Sequence, residues 1–183
     1  MILFINACVR KQSRTKVLAE RLIGTLNDEV KEVRLEDVVF PVVDEDFLER
    51  RDSLRYAQKF DDPMFELGRD FASADTIVIA APVYDLSFPS MLKQYFEQIC
   101  VVGLTFEYLE DGTPKGLCKA QKLYYVTTSG GPIISDEYGF GYVKALATNF
   151  YGIEEIYQLK AEGLDVIGAD VNAILNKADI SRK

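Results

Sequence analysis

The sequence of 183 residues contains no histidine. This absence excludes histidine-ligated metal sites and every nucleophile that needs a neighbouring imidazole, as in Ser-His and Cys-His enzymes. Cysteine is scarce as well, with Cys8, Cys100 and Cys118 forming an odd set that lacks the spacing of a metal site. We therefore expect no bound metal, and free thiols in a cytoplasmic protein.

Long apolar runs and an excess of positive charge are also missing. No apolar run approaches the ~20 residues that span a bilayer, and the first residues, "MILFINA", lack the basic segment of a signal peptide. The net charge of −8 disfavours general binding to phosphate-rich partners, which an acidic surface repels. We therefore expect no nucleic-acid partner, no membrane partner and a cytoplasmic location.

Apolar residues make up 48% of the chain and alternate between strand-like and helix-like patterns, enough for a single domain over residues 1–183. Strands are predicted at 2–6, 29–35, 75–81, 122–128 and 153–161. Helices are predicted at 15–27, 46–58, 64–73, 89–101, 139–151 and 166–178. This alternation predicts an α/β fold, a flavodoxin-like doubly wound sheet of five parallel strands in the order 2-1-3-4-5, with helices on both faces. The last strand alternates in polarity, so we expect it at an edge.

Three unusual loops follow the first, third and fourth predicted strands: "ACVRKQSRT", "PVYDLSFP" and "TSGGP". In such sheets ligands bind beyond the carboxyl ends of the strands, where the strand order reverses. The three loops are therefore expected to meet at one ligand-binding crevice.

The first loop carries four basic residues in an otherwise acidic chain: Arg10, Lys11, Arg14 and Lys16. With the hydroxyls of Ser13 and Thr15 at a helix start, it favours a phosphate site. The loop contains neither the G-x-G-x-x-G fingerprint nor the P-loop motif. It also fits a capped helix start with solvated basic side chains.

The other two loops each allow a functional and an ordinary interpretation. Prolines stiffen both ends of the second loop, so exposed backbone groups of residues 83–86 could meet the edge of a flat ligand while Tyr84 lies against its ring. Gly130 and Gly131 in the third loop would let the backbone approach a ligand closely. Either loop would also fit an ordinary turn.

Three segments, "APVYDLSFPSMLKQYFEQI", "GLTFEYLEDGTPKGL" and "KLYYVTTSGG", carry a family resemblance. With Ser-Arg-Thr at 13–15, they resemble FMN-dependent NADH-azoreductases and NAD(P)H quinone dehydrogenases, in the same order from residue 2 to about 131. The resemblance implies non-covalent FMN, NADH or NADPH as cosubstrate, and a homodimer with active sites at the subunit interface. It also implies two-electron, ping-pong reduction of a quinone or azo compound, with hydride transfer through N5 of the flavin.

The resemblance assigns cofactor-binding roles to thirteen residues: Cys8, Ser13, Arg14 and Thr15 at the phosphate; Pro82, Val83, Tyr84, Asp85 and Leu86 along the flavin ring; Thr128, Ser129, Gly130 and Gly131 at its pyrimidine end. It places Tyr84, Phe106 and Tyr108 in the substrate pocket. Some of Tyr95, Phe96 and Val102 are expected to bury a second subunit. No side chain is expected to act as an obligatory acid or base, because the flavin performs the chemistry.

Other functions stay open at this point. One alternative is an NAD(P)H:FMN reductase that releases reduced flavin to a partner. Another is a flavodoxin-like electron-transfer protein that never uses NADH, and a third is a flavin-free relative, since a fold does not fix a function.

Asp85 stands where azoreductases usually have asparagine, and this departure yields a prediction. A carboxylate can only accept hydrogen bonds, and its charge beside the ring would disfavour anionic reduced flavin. We expect Asp85→Asn to raise the midpoint potential of bound FMN, measured by spectroelectrochemical titration of both proteins. An unchanged or lower midpoint would count against contact between Asp85 and the flavin.

Overall fold

The protein is described by a computed structural model that covers residues 1–182. Its strands are β1 Ile2–Asn6, β2 Val30–Arg34, β3 Thr76–Ala80, β4 Phe106–Tyr108, β5 Pro114–Gly116, β6 Lys122–Thr128, β7 Glu155–Ala161 and β8 Ile180–Arg182. Its α-helices are α1 Arg14–Leu26, α2 Glu45–Tyr56, α3 Glu66–Ser73, α4 Ser90–Ile99, α5 Tyr142–Leu146 and α6 Val171–Lys177. Among the residues so described, no helix combines the length and apolarity that a bilayer crossing requires.

Five parallel strands form the centre of the fold in the order β2-β1-β3-β6-β7. This confirms the predicted flavodoxin-like order, because β6 and β7 are the fourth and fifth strands of the parallel set. Ile5 in β1 lies opposite Val33 of β2 and Ile79 of β3, so the carboxyl ends of these strands reach the same edge. The strand order reverses between β1 and β3, which places the candidate crevice there.

A sixth strand was not predicted. β8 pairs antiparallel with β7, with Tyr157–Leu159 opposite Ile180–Arg182. The expected edge position of β7 therefore holds only within the parallel set. A three-residue strand is too short for a periodic pattern to reveal it.

Each face of the sheet carries its own apolar cluster, as the alternation of side chains in β1 illustrates. Leu3 and Ile5 pack with residues of α3, α4 and α5, whereas Ile2 and Phe4 pack with residues of α1 and α6. All four side chains are almost fully buried. Burial on both faces explains why these strands are continuous apolar runs.

Helix α1 lies where the sequence predicted it. Its N-terminus places the first loop at the edge of the sheet. The side-chain oxygen of Ser13 accepts a hydrogen bond from the Lys16 N–H at 3.2 Å, which caps the helix. Thr15, Leu18 and Leu22 face the core.

The packing of α4 contradicts the expectation that its aromatic residues bury a second subunit. Tyr95 is 0% exposed and Phe96 is 3% exposed, because both pack in the core of their own chain. They are therefore unavailable to bury a second subunit. Val102 lies beyond the end of α4 and is half-buried.

Two predicted helices are less regular than their patterns suggested. The 139–151 prediction is realised as α5 between π-helical turns at Glu137–Gly141 and Ala147–Tyr151. The 166–178 prediction shrinks to α6, because Gly168 is left-handed at φ +82° and the Asp170 carboxylate caps a later start. Ile167, an apolar residue inside the predicted range, lies outside α6 and is fully exposed.

The turn-rich segment 105–118 forms a hairpin of β4 and β5 that lies against the end of the 137–151 helix. A Cβ added at Gly116 would lie 2.2 Å from the backbone of Tyr151 and Gly152, so only glycine fits this approach. The Phe106 ring packs 4.9 Å from the Phe150 ring, centroid to centroid.

Candidate functional site

A cleft of about 220 Å³ opens at the carboxyl ends of the central strands. Ten of the thirteen predicted cofactor residues line it: Cys8, Ser13, Arg14, Thr15, Pro82, Val83, Tyr84, Thr128, Ser129 and Gly130. The loops after β1, β3 and β6 therefore meet as the predicted topology requires.

Thr128, the last residue of β6, joins the three loops. Its hydroxyl lies 2.6 Å from that of Thr15, and both side chains are buried. Its carbonyl accepts a hydrogen bond from the Val83 N–H at 3.0 Å. Because buried hydrogen bonds are costly to leave unmade, the relative positions of the loops are fixed.

The second loop folds into a tight two-residue turn at the rim of the cleft. The N–H groups of Tyr84 and Ser87 donate to each other's carbonyls at 2.9 and 2.8 Å. Asp85 and Leu86 between them adopt left-handed φ values of 50° and 71°. Turns with two positive φ values usually contain Asn-Gly, so the bulky Leu86 carries backbone strain of about 1 kcal/mol or more.

This turn changes the expectation for the backbone of residues 83–86. The N–H groups of Val83 and Tyr84 are bonded within the chain and are not available to a flat ligand. In the described part of the chain, the N–H groups of Asp85 and Leu86 have no hydrogen-bond acceptor. Strained, unpaired backbone at a cleft rim is typical of functional positions.

Asp85 and Leu86 line a second cleft of about 560 Å³ on the other side of the turn. Tyr138 and Tyr142 form its opposite wall, and the Ser87 hydroxyl donates to the Tyr138 carbonyl. The turn is thus a ridge between two clefts, with Tyr84 facing the first and Leu86 the second. Gly131 lines neither cleft.

Unpaired N–H groups distinguish the first cleft. Arg14 and Thr15, at the start of α1, and Gly130, after β6, line it with N–H groups that have no acceptor within residues 1–182. The N–H of Gly131, just outside the cleft, has no acceptor in this range either. By contrast, the carbonyls of residues 129–131 already accept hydrogen bonds from residues 163–165. The cleft therefore offers hydrogen-bond donors, with the positive end of the α1 dipole beside them, to an acceptor-rich ligand.

Asp165, in the loop after β7, belongs to the site and was missed by sequence reasoning. Its carboxylate accepts a hydrogen bond from Arg14 at 2.7 Å, and Arg14 also donates to the Leu164 carbonyl at 3.2 Å. A Cβ at Gly130 would lie 2.4 Å from the same carboxylate, so Gly130 makes room for Asp165. The sequence pointed to this loop only indirectly, because β7 was predicted as a parallel strand and must end at the same edge of the sheet as β6.

The ion pair between Arg14 and Asp165 is largely exposed, with side chains 41% and 67% accessible. Such pairs stabilise a protein by at most about 1 kcal/mol. An incoming anion can therefore recruit the Arg14 guanidinium at little cost.

Cys8 supplies a neutral wall to the cleft. Its thiol points to the Ala80 carbonyl at 3.7 Å, and burial raises the pKa of the thiol above its usual value. The side chain therefore adds no negative charge near the start of α1. No cluster of three or more Cys, Asp or Glu side chains able to hold a metal occurs within the described range.

Two parts of the chain lie away from this cleft, one of them the hairpin with the predicted substrate-pocket residues. Phe106 and Tyr108 are in the β4–β5 hairpin and do not line the cleft of their own chain. Part of the segment 36–63, mainly residues 37–41, borders a separate groove of about 770 Å³ between β2, α2 and α3, which is larger but shares no residue with the cleft.

A family profile described as a flavodoxin-like fold matches residues 1–181. The chain belongs to this flavodoxin-like family. A protein of Lachnoclostridium phytofermentans named FMN-dependent NADH:quinone oxidoreductase is 35% identical over 185 residues, which cover 94% of this chain and 90% of that protein.

Two further comparisons agree with this assignment. FMN-dependent NADH:quinone oxidoreductase 2 of Clostridium acetobutylicum is 44% identical over 110 residues, 57% of this chain and 54% of that protein. The crystal structure of an FMN-dependent NADH-azoreductase from Bacillus anthracis in complex with FMN superposes with a TM-score of 0.78 at 27% identity, covering 96% of this chain and 92% of that chain.

The role of Thr128 yields a stability prediction with a control in the next residue. Thr128→Val leaves the buried Thr15 hydroxyl unpaired, so the free energy of unfolding should fall by about 1–3 kcal/mol. Thr127 is equally buried, but its hydroxyl has no hydrogen-bond partner within the described chain. Thr127→Val should therefore be neutral or slightly stabilising. Urea unfolding of both variants measures this, and equal losses would contradict a special role for Thr128.

Proposed function

We propose that this chain is an FMN-dependent NAD(P)H oxidoreductase that reduces quinones, azo compounds or similar acceptors. FMN binds without a covalent link in the cleft where the loops after β1, β3 and β6 meet. The names of the relative from Lachnoclostridium phytofermentans and of the superposed azoreductase support this activity.

The observation that carries the proposal is the set of unpaired donors around the cleft. FMN presents hydrogen-bond acceptors at both ends, a phosphate dianion and the carbonyls and nitrogens of its ring. The N–H groups of Arg14 and Thr15 match the phosphate. Those of Gly130 and Gly131 match the pyrimidine edge of the ring.

The size of the cleft agrees with this division of the ligand. At about 220 Å³ it is smaller than the 300–1,000 Å³ of typical small-molecule pockets. It is therefore suited to the phosphate and ribityl chain, while the flat ring would rest on the ridge formed by Tyr84, Asp85 and Leu86. The second cleft beyond this ridge leaves room for an acceptor.

Bound FMN would supply the redox chemistry, accepting a hydride at N5 and passing two electrons to the acceptor in a ping-pong cycle. The chain contributes binding and orientation. Ser13 caps α1 and keeps its first N–H groups free, Thr128 fixes the distance between the loops, and Tyr84 forms an aromatic wall. No histidine is present to serve as a general acid or base, and protons can come from water.

We further propose that the chain acts as a homodimer with the active site at the subunit interface. Exposed apolar side chains surround the clefts, including Tyr84, Leu86 and Tyr138. Tyr108 and Leu109 expose a second apolar surface on the β4–β5 hairpin. Contiguous exposed apolar surface indicates an interaction site, and a partner seated there would bring a second Phe106–Tyr108 hairpin to each cleft.

The purified protein should be yellow, with the absorption spectrum of oxidised flavin. Anaerobic NADH should bleach the flavin, and a quinone or an azo dye should restore the colour with continuous turnover. Light scattering on the same sample should give twice the mass of the 20.7 kDa chain. Ser13→Ala removes the α1 cap and should weaken FMN binding; Ser53→Ala, at an exposed position of α2, is the matched control.

The alternatives give different results in this experiment. Loss of colour on dialysis together with turnover of added FMN would indicate a flavin reductase, and a flavin that NADH cannot reduce would indicate an electron-transfer protein. A colourless protein that gains no thermal stability from FMN would contradict the proposal outright.

A further inference from the structure

A polar groove of about 500 Å³ adjoins the FMN cleft on the side of β2. The two share Cys8, Val9 and Arg10, so they form one continuous depression across the strand ends. The floor of the groove begins at Asn6, whose side chain accepts a hydrogen bond from the Cys8 N–H and donates one to Glu32. Beyond the shared residues 8–10, the proposed FMN site does not use this surface.

The end of the groove beside the cleft is positively charged. Arg10 and Lys11 are exposed, and neither has an ion-pair or hydrogen-bond partner among residues 1–182. Lys16, also in the groove, is shared between Glu20 and Glu32 at 3.6 and 3.9 Å. Two uncompensated cations in a chain with a net charge of −8 mark a place suited to an anion.

The opposite end of the groove is negatively charged. Glu36 and Asp37 lie in the 3₁₀ turn that follows β2, and both pair with Arg34, Asp37 at 3.4 Å. Two carboxylates against one guanidinium leave an excess negative charge, and each carboxylate can accept several hydrogen bonds. This end therefore suits a ligand with hydroxyl donors.

We propose that this groove binds the adenosine diphosphate half of NADH. The diphosphate lies at Arg10 and Lys11, and the ribose hydroxyls of the adenosine donate to Glu36 and Asp37. This proposal rests on the proposed function, because it places the second substrate beside the FMN site.

The same arrangement selects NADH over NADPH. In dinucleotide-binding folds an acidic residue that follows the second strand accepts the ribose 2′-hydroxyl. Glu36 and Asp37 occupy a comparable place after β2. The 2′-phosphate of NADPH would meet two carboxylates at this end of the groove, and like charges in contact disfavour binding. The Arg34 guanidinium at the same end, which could otherwise receive a phosphate, is already paired with both carboxylates.

The position of the groove also lets one dinucleotide reach both proposed binding positions. Neighbouring strands are about 4.8 Å apart, so the loops after β2 and β3 are separated by about 10 Å across β1. The nicotinamide would lie toward the Tyr84–Ser87 turn, where the flavin ring is proposed, while the adenosine lies at the end of β2. The Cys8–Arg10 segment connects the two.

Steady-state kinetics with a quinone acceptor test the proposal, using three electron donors: NADH, NADPH and reduced nicotinamide mononucleotide, which lacks the adenosine half. Lys11→Gln should raise KM for NADH about threefold to tenfold with little change in kcat. It should leave the kinetics of the mononucleotide unchanged. Lys144→Gln, which removes the same charge from an exposed position of α5, should change neither.

A second part of the experiment tests the discrimination between NADH and NADPH at the acidic end of the groove. Asp37→Asn should increase the ratio of kcat/KM for NADPH to that for NADH by about fivefold. Equal effects of Lys11→Gln on NADH and the mononucleotide, or an unchanged NADPH ratio in Asp37→Asn, would overturn the proposal while leaving the proposed function in place.

A binding measurement separates failure of the groove from failure of the proposed function. Calorimetry with ADP-ribose needs no redox activity. Binding to the wild-type protein that weakens in Lys11→Gln supports the groove even if no donor is oxidised. An absence of ADP-ribose binding to the wild-type protein would overturn it even if turnover with the mononucleotide shows that the flavin enzyme works.

Discussion

The hydrogen bonds of Thr128 are the interaction on which the rest of the site depends. A single residue at the end of β6 pairs its hydroxyl with Thr15 and its carbonyl with the Val83 N–H. Three loops from different parts of the chain are thereby held at fixed spacing in a buried setting, where such bonds are strong and costly to break. Without that spacing, the N–H groups of α1 and of residues 130–131 would not face a common ligand.

The chemistry offered by the cleft follows from which backbone groups remain unpaired. The carbonyls of residues 129–131 accept hydrogen bonds from the loop after β7, whereas the N–H groups of Gly130 and Gly131 have no acceptor among the described residues. A site made of donors, next to the positive end of a helix, suits a phosphorylated and acceptor-rich cofactor. The absence of histidine is consistent with a division of labour in which the cofactor performs the redox step and the chain positions it. The groove toward β2 is proposed to bind its ligand in the same way, by the charge of its groups, because its two ends carry opposite charge.

Much of this arrangement could be predicted from the sequence because it rests on strong local signals. Buried apolar runs located β1, β3 and β6, and Ser13 identified the start of α1. Asp165 could not be found in this way, since its contact with Arg14 joins residues 151 positions apart. The left-handed turn at Asp85 and Leu86 contradicts local preference, so tertiary hydrogen bonds must impose it. The burial of Tyr95 and Phe96 within their own chain could not be predicted either, because apolar side chains suit both a protein core and a subunit interface.

The most direct measurement of the central claim is a crystal structure of the protein with FMN. The account predicts phosphate oxygens within about 3 Å of the Arg14 and Thr15 amide nitrogens, with the Thr15–Thr128 hydroxyl pair intact and the ring on the Tyr84–Leu86 ridge. FMN bound in the larger groove between β2, α2 and α3, or a cleft filled by the Tyr84 side chain with no flavin present, would contradict it.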